Sequence, residues 1–149
     1  MKQTQLKCKE VNQLLEKYSI SLSKKDQVVL VETEIKLILV NRQPSFFYYH
    51  QQLVPTLKYL QHNIFLKKVT VDQGAIKFII GGADVMRPGI TEIESGITKD
   101  EIIVIMDQNN KKLLAVGIAL FNSEQIKAAS SGKVVKNIHY VGDKIWMFR

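Results

Sequence analysis

The sequence is short of several things, and each shortage excludes a class of function. It has one cysteine, Cys8, among 149 residues. No internal disulfide can form, and no thiolate-rich zinc or iron–sulfur site can be assembled. Its three histidines, His50, His62 and His139, stand far apart. None belongs to an HExxH or HxxxH arrangement and none has a paired carboxylate cluster beside it, so no metal centre and no cofactor is expected. Unbroken apolar runs are short, Ile102 to Met106 being typical. A bilayer span needs about 20 residues. The opening MKQTQLKCKE carries no apolar core of a signal peptide, so a soluble cytoplasmic protein is expected. Prolines number only three, and glycine is missing altogether before residue 74.

What is present is globular. Hydrophobic residues make up 46% and charged residues 23% of the chain, within the range of folded domains. A chain of this length buries a core unaided. Lys and Arg number 21 against 14 Asp and Glu, a formal charge of +7. Such an excess favours a polyanionic partner such as RNA, unless it serves solubility alone. The charge is uneven. Residues 1–70 carry 11 basic and 5 acidic side chains, and residues 71–149 carry 10 and 9. All eight glycines fall in the second part, which therefore reads as a turn-rich β unit. No flexible linker separates the parts. We place the boundary at 1–68 and 69–149.

The first part predicts a helix containing Val11, Leu14, Leu15 and Tyr18, then strands at Val28 to Val31, Ile35 to Val40 and Phe46 to Tyr49. A short helix follows over Thr56 to His62, with Pro55 at its first position. Alternation along Phe46-Phe47-Tyr48-Tyr49 would bury one pair and expose the other, which favours packing into the core over stacking on bases. The second part predicts a strand at Val69 to Val71 and a helix over Gln73 to Ile80, capped by Asp72 and stopped by Gly81. Strands follow at Asp84 to Arg87, Glu101 to Asp107, Leu113 to Phe121, Val134 to Tyr140 and Lys144 to Phe148. A further helix spans Glu124 to Ser131. Short strands with inserted helices suggest a small closed barrel. No nucleophile–base pair is apparent in residues 1–70, so catalysis is not expected.

The 73–80 helix is apolar around most of its circumference, with Lys77 its single charge. Such a helix should be buried on most sides. Lys77, the Gly81-Gly82-Ala83 loop and Arg87 then either cradle phosphate and sugar or form a plain helix end beside an exposed lysine.

The stretch VDQGAIKFIIGGADVMRPGI (71–90) resembles the opening of a PUA domain, the RNA-binding module named for pseudouridine synthases and archaeosine transglycosylases. NIHYVGDKIW (137–146) resembles its closing strands. Together with KKDQVVLVE (24–32) and VPTLKYL (54–60), these segments resemble the MCT (multiple copies in T-cell malignancies) family, its archaeal relatives and ligatin. The resemblance implies an α+β protein, a small α/β pre-PUA domain followed by a PUA β-pseudo-barrel. It implies RNA binding over Lys77, Gly81, Gly82, Ala83, Arg87, Pro88 and Gly89, extending to His139, Tyr140 and Lys144. It further implies a non-catalytic role in translation at the small ribosomal subunit and tRNA, in initiation, reinitiation or recycling. The partner implied is one like the density-regulated protein. The other role open to such a module is that of an RNA-targeting subunit for a separate RNA-modification enzyme.

Overall fold

Backbone pairing organises the chain into two antiparallel-rich sheets, each with its own core. The computed structural model describes all residues, 1–149. Two units result: Met1–Phe65 together with Met147–Arg149, and Leu66–Trp146.

In the first unit, β1 (Lys2–Leu6) precedes α1 (Cys8–Leu15) and a 3₁₀ turn at Glu16–Tyr18. Then follow β2 (Val28–Glu32), β3 (Lys36–Val40), β4 (Gln43–Tyr49), β5 (Gln52–Pro55) and the single-turn α2 (Leu57–Leu60). The five strands make one antiparallel meander in chain order. Strand β1 has no counterpart among the expected elements. Its residues KQTQL lack any apolar alternation, and it is held by backbone pairing with β2, from Lys2 opposite Glu32 to Leu6 opposite Val28. Helix α1 buries Val11 and Leu15 in a core with Val28, Ile38, Phe46 and Leu53. Leu14, expected on that face, is 45% exposed.

Two further expectations are corrected here. Phe46 and Phe47 are both buried, and Tyr48 and Tyr49 both half-buried. Side chains of neighbouring residues leave a strand on opposite faces, so β4 is covered on both sides at the phenylalanines. Neither ring is left bare for stacking on a base. Pro55 closes β5 instead of opening a helix, and Thr56 caps α2 by accepting the Tyr59 N–H at 3.2 Å. The glycine-free half also makes two tight hairpin turns without glycine. Asn41-Arg42 and His50-Gln51 all adopt positive φ, as type I′ turns require.

The second unit holds β6 (Lys68–Val71), α3 (Gln73–Ile79), β7 (Val85–Met86), a 3₁₀ turn at Arg87–Gly89 and β8 (Ile90–Ile93). These are followed by β9 (Ile102–Asp107), β10 (Leu113–Ala119), α4 (Ser123–Ala128) and β11 (Lys133–Tyr140). The sheet runs β7-β11-β10-β9-β6-β8 and curls into a nearly closed barrel. Every pair is antiparallel except β6 with β9. The apolar run IIVIM lies in β9, between β10 and β6, and is buried throughout. Val69, Val71, Ile103, Ile105, Ala115 and Val135 meet in the barrel core. The architecture is the α+β arrangement expected.

Gly117 of β10 stands opposite a bulge in β11, where the register skips Ile138. A Cβ there would stand 2.6 Å from a Val135 methyl and 2.7 Å from the Lys136 carbonyl oxygen. Only glycine lets the strands approach this closely. The strand expected at Lys144 to Phe148 is a series of turns instead. The Asp143 carboxylate explains it. Its Oδ2 accepts the Tyr140 N–H at 2.9 Å and its Oδ1 the Trp146 N–H at 2.8 Å, which winds the backbone back on itself.

Candidate nucleic-acid interface

Strand β6 delivers the chain to Asp72, whose Oδ1 accepts the Ala75 N–H at 3.0 Å and starts α3. This helix has seven residues, and it lies on the barrel along one stripe: Ile79 is buried, Ala75 and Ile76 half-buried against the core. The opposite side is open. Phe78 is 60% exposed and Ile80 40%. The expectation that only Lys77 would face water is therefore corrected: a two-turn helix on a barrel surface has one contact stripe, however apolar its other faces. Lys77 is exposed, with its Nζ 5.1 Å from the centroid of the Phe78 ring.

The loop beyond α3 is tightly wound. The Gly81, Gly82 and Ala83 N–H groups donate to the carbonyls of Phe78, Ile79 and Phe78. Gly82 has φ +98°, and a Cβ on it would come within 3.1–3.2 Å of the Tyr140 hydroxyl and ring. Asn137 of β11 fastens this loop from outside, its Nδ2 donating to the Ile79 and Ala83 carbonyls, both at 3.0 Å. Its own N–H goes to Asp84 Oδ1 at 2.8 Å. Asp84 Oδ2 meets Lys133 Nζ at 2.9 Å. Burial works to raise the Asp84 carboxyl, but the Asn137 N–H, the Lys133 ion pair and the charge of Lys136 outweigh it. The group is held below its ordinary value.

Between α3 and the 85–89 segment lies a cleft of about 480 Å³. Its walls are mainly apolar, with Phe78, Ile79, Val85, Met86 and Pro88 foremost, and its polar lining includes Asp72 and Asp84. Met86, at the rim, is 50% exposed.

The ten residues named from the sequence fall into groups. Ala83, Pro88 and Gly89 line the cleft. Lys77, Gly81 and Gly82 belong to the adjoining helix and loop, with Tyr140 packed under Gly82. Lys144 is exposed in the turns after β11 and does not line the cleft. Arg87 is half-buried and turned inward. Its Nε donates to the Ile126 carbonyl at 2.7 Å and its Nη1 to the Ile90 carbonyl at 3.3 Å. A side chain spent on backbone carbonyls does not reach out to fork a phosphate. His139 is wholly buried, with Nδ1 2.9 Å from Asp143 Oδ2; it presents no surface to a ligand. Its neighbour Tyr140 packs against the barrel core.

The sequence reading missed Phe78, Asp84, Met86, Lys133, Lys136 and Asn137. Phe78 and Met86 look like core residues in any apolar count. The pairing of Asp84 with Lys133 spans 49 positions and appears only once β7 lies beside β11.

Comparison with known proteins covers both units. The PUA domain model matches residues 67–141, and a domain of unknown function, DUF1947, matches residues 6–63. An uncharacterised protein of Methanocaldococcus jannaschii is 42% identical over 143 residues, covering 95% of this chain and 88% of that one. Translation machinery-associated protein 20 of Saccharomyces cerevisiae is 36% identical over 137 residues, with 85% and 75% covered. Malignant T-cell-amplified sequence 1 of Rattus norvegicus is 33% identical over 149 residues, with 91% and 82% covered. Among solved structures, a hypothetical protein of Pyrococcus horikoshii superposes with a TM-score of 0.82 at 31% identity, covering 97% of this chain and 98% of that one. An H/ACA ribonucleoprotein bound to a substrate RNA gives a TM-score of 0.53 at 25% identity, over 64% of this chain and 29% of that one.

Proposed function

Because this chain belongs to the PUA-domain family that includes translation machinery-associated protein 20 and malignant T-cell-amplified sequence 1, we propose that it is a non-catalytic RNA-binding protein of translation. It acts at the small ribosomal subunit, in contact with rRNA or tRNA. A second protein, like the density-regulated protein, is its partner there.

The observation that carries this reading is the likeness to translation machinery-associated relatives along both units, not along the PUA domain alone. The surface around α3 supports it. Lys77 and Lys136 are exposed, and Lys133 is bound to Asp84 beside the same cleft. Flexible cations around an apolar cleft suit an RNA strand, whose phosphates need charge and whose bases need a dry surface. No helix is long and apolar enough to cross a membrane.

The test is binding of this protein to purified small subunits and to their RNA across a salt series. Sedimentation with small subunits at moderate salt is expected, as is a steep fall in RNA affinity with salt. Replacing Lys77 and Lys136 by Ala should lower the slope of log K against log salt by about 0.7 to 0.9 for each phosphate that the variant leaves without its lysine. Failure to bind RNA at low salt would sink the proposal. A second reading, an RNA-targeting subunit of a modification complex, is favoured by the likeness to the H/ACA particle. Retention on a guide or substrate RNA with no binding to small subunits would select it.

A further inference from the structure

The basic excess of the chain lies in residues 1–70, with 11 basic against 5 acidic side chains, and the surface around α3 uses none of it. Part of it converges on a second cavity, of about 360 Å³, formed within the first unit. Arg42, Lys58 and Arg149 line this cavity, and no acidic side chain does. Its floor is the sheet face on which Gln3 stands opposite Val31 and Leu39 opposite Pro44; residues paired across strands share a face. Phe148 adds an aromatic ring to the wall. Like charges gathered in one concavity repel one another. Arg87 of the second unit spends its guanidinium on backbone carbonyls, whereas the guanidinium groups of Arg42 and Arg149 have no partner within the protein. Arg42 also holds its place at a conformational cost. It has φ +71° at the second central position of a type I′ turn, where glycine is preferred. Gln51 bears the same strain at the next turn without lining the cavity, so the convergence of cations, not the strain, marks the site.

We propose that this cavity binds a phosphate monoester of the nucleoside monophosphate class, free or at the end of an oligonucleotide. A phosphate monoester carries a charge of about −1.5 to −2 at pH 7 and three strong acceptor oxygens, which suits three cationic side chains. A carboxylate brings one charge and two oxygens. Guanidinium groups fork onto phosphate oxygens, and those of Arg42 and Arg149 have all their donors to give. The cavity is larger than a phosphate group alone would fill and lies in the size range of small-molecule sites. Val31 and Leu39 below and the Phe148 ring beside them suit a planar base. The amides of Gln3 and Gln43 each bring a donor and an acceptor for ribose hydroxyls or a base edge.

Calorimetric titration of the intact protein with adenosine monophosphate, adenosine and inorganic phosphate at low salt tests this. Adenosine monophosphate should bind about tenfold more tightly than either of the other two. Arg42→Gly removes the guanidinium and relaxes the turn. It should weaken adenosine monophosphate binding about tenfold while the Tm holds or rises, so the loss cannot come from misfolding. Short RNAs ending in a 5′-phosphate or a 5′-hydroxyl separate the two sources. A preference for the phosphorylated end that Arg42→Gly abolishes assigns the site to RNA ends; equal affinity of the two RNAs, with adenosine monophosphate bound, assigns it to free nucleotides. Equal binding of adenosine monophosphate and inorganic phosphate means an adventitious ion only and overturns the proposal. Equal binding of adenosine monophosphate and adenosine overturns it too, as does wild-type affinity in Arg42→Gly. So does the absence of both adenosine monophosphate binding and a preference for the phosphorylated RNA. The RNA-binding reading of the α3 surface rests on other residues and is decided separately, by the salt series.

Discussion

Arg87 holds Ile126: its guanidinium Nε donates to the Ile126 carbonyl at 2.7 Å, across 39 positions of sequence. The carbonyl belongs to the last turn of α4, where it otherwise accepts the Ala129 N–H at 3.3 Å. The arginine therefore fastens α4 to the 87–89 turn.

Replacing Arg87 by Ala should cost about 1.5–3 kcal/mol of stability, the range for hydrogen bonds from charged donors, and lower the Tm by several degrees. Lys cannot reproduce the two-pronged geometry, so Arg87→Lys should recover little. Lys77→Ala, by contrast, should leave the Tm within about a degree while weakening RNA binding. Thermal melts of the three variants decide this.

Asn137→Ala should loosen the glycine loop. Two hydrogen bonds to the Ile79 and Ala83 carbonyls disappear together, although the Ile79 carbonyl keeps the Gly82 N–H; at about 0.5–1.5 kcal/mol for each bond, the loss is about 1–3 kcal/mol. Hydrogen exchange of the Gly81, Gly82 and Ala83 amides should accelerate before any change at β9 is seen.

Gly117→Ala should be among the most damaging single-methyl additions in the barrel. One of the two atoms in its way is the Lys136 carbonyl oxygen, which cannot move without β11. A loss of about 3 kcal/mol is expected from overpacking, read from the denaturation midpoint. In the first unit the sign reverses. Gln51 sits at φ +68° in a hairpin turn, and Gln51→Gly should add about 1 kcal/mol by relieving that strain.

Asp143 sets an acid limit. Burial tends to raise its carboxyl, but the His139 ring and the Trp146 and Tyr140 N–H groups prevail and hold it below its ordinary value. A carboxyl with a lowered folded pKa stabilises fully above its unfolded value near 3.8 and loses that contribution as pH falls through the folded value. Stability should decline below about pH 4, and Asp143→Asn should flatten that decline. Urea midpoints from pH 6 to pH 2 measure it.

The barrel is legible in the sequence because its signals are local and repeated: IIVIM between turn residues, Asp72 before an apolar helix, glycines at the reversals. KQTQL carries no such signal and becomes a strand only because β2 offers it backbone partners. The site is legible in part. The residues of the α3 loop can be named as neighbours of the cleft because they adjoin in sequence. Arg87 reads as a surface residue because a charged side chain beside Pro-Gly normally faces water, and only the packing of α4 against the turn explains its inward path. His139 reads as a surface residue on the strength of a motif that is indifferent to which side of β11 is inward. Phe78 depends on which stripe of a short helix touches the barrel, and Asp84 on β7 lying beside β11, facts absent from the composition of either segment.

Residues Met147–Arg149 are grouped with the first unit although they follow the second in the chain. Phe148 and Arg149 help enclose a pocket with Val31 and Leu39. Any attempt to express the amino-terminal piece as 1–65 thus omits part of its own wall, and the matching piece 66–149 carries a tail that is foreign to it. A faithful dissection would splice the terminal tripeptide back onto the shorter fragment through a designed connection.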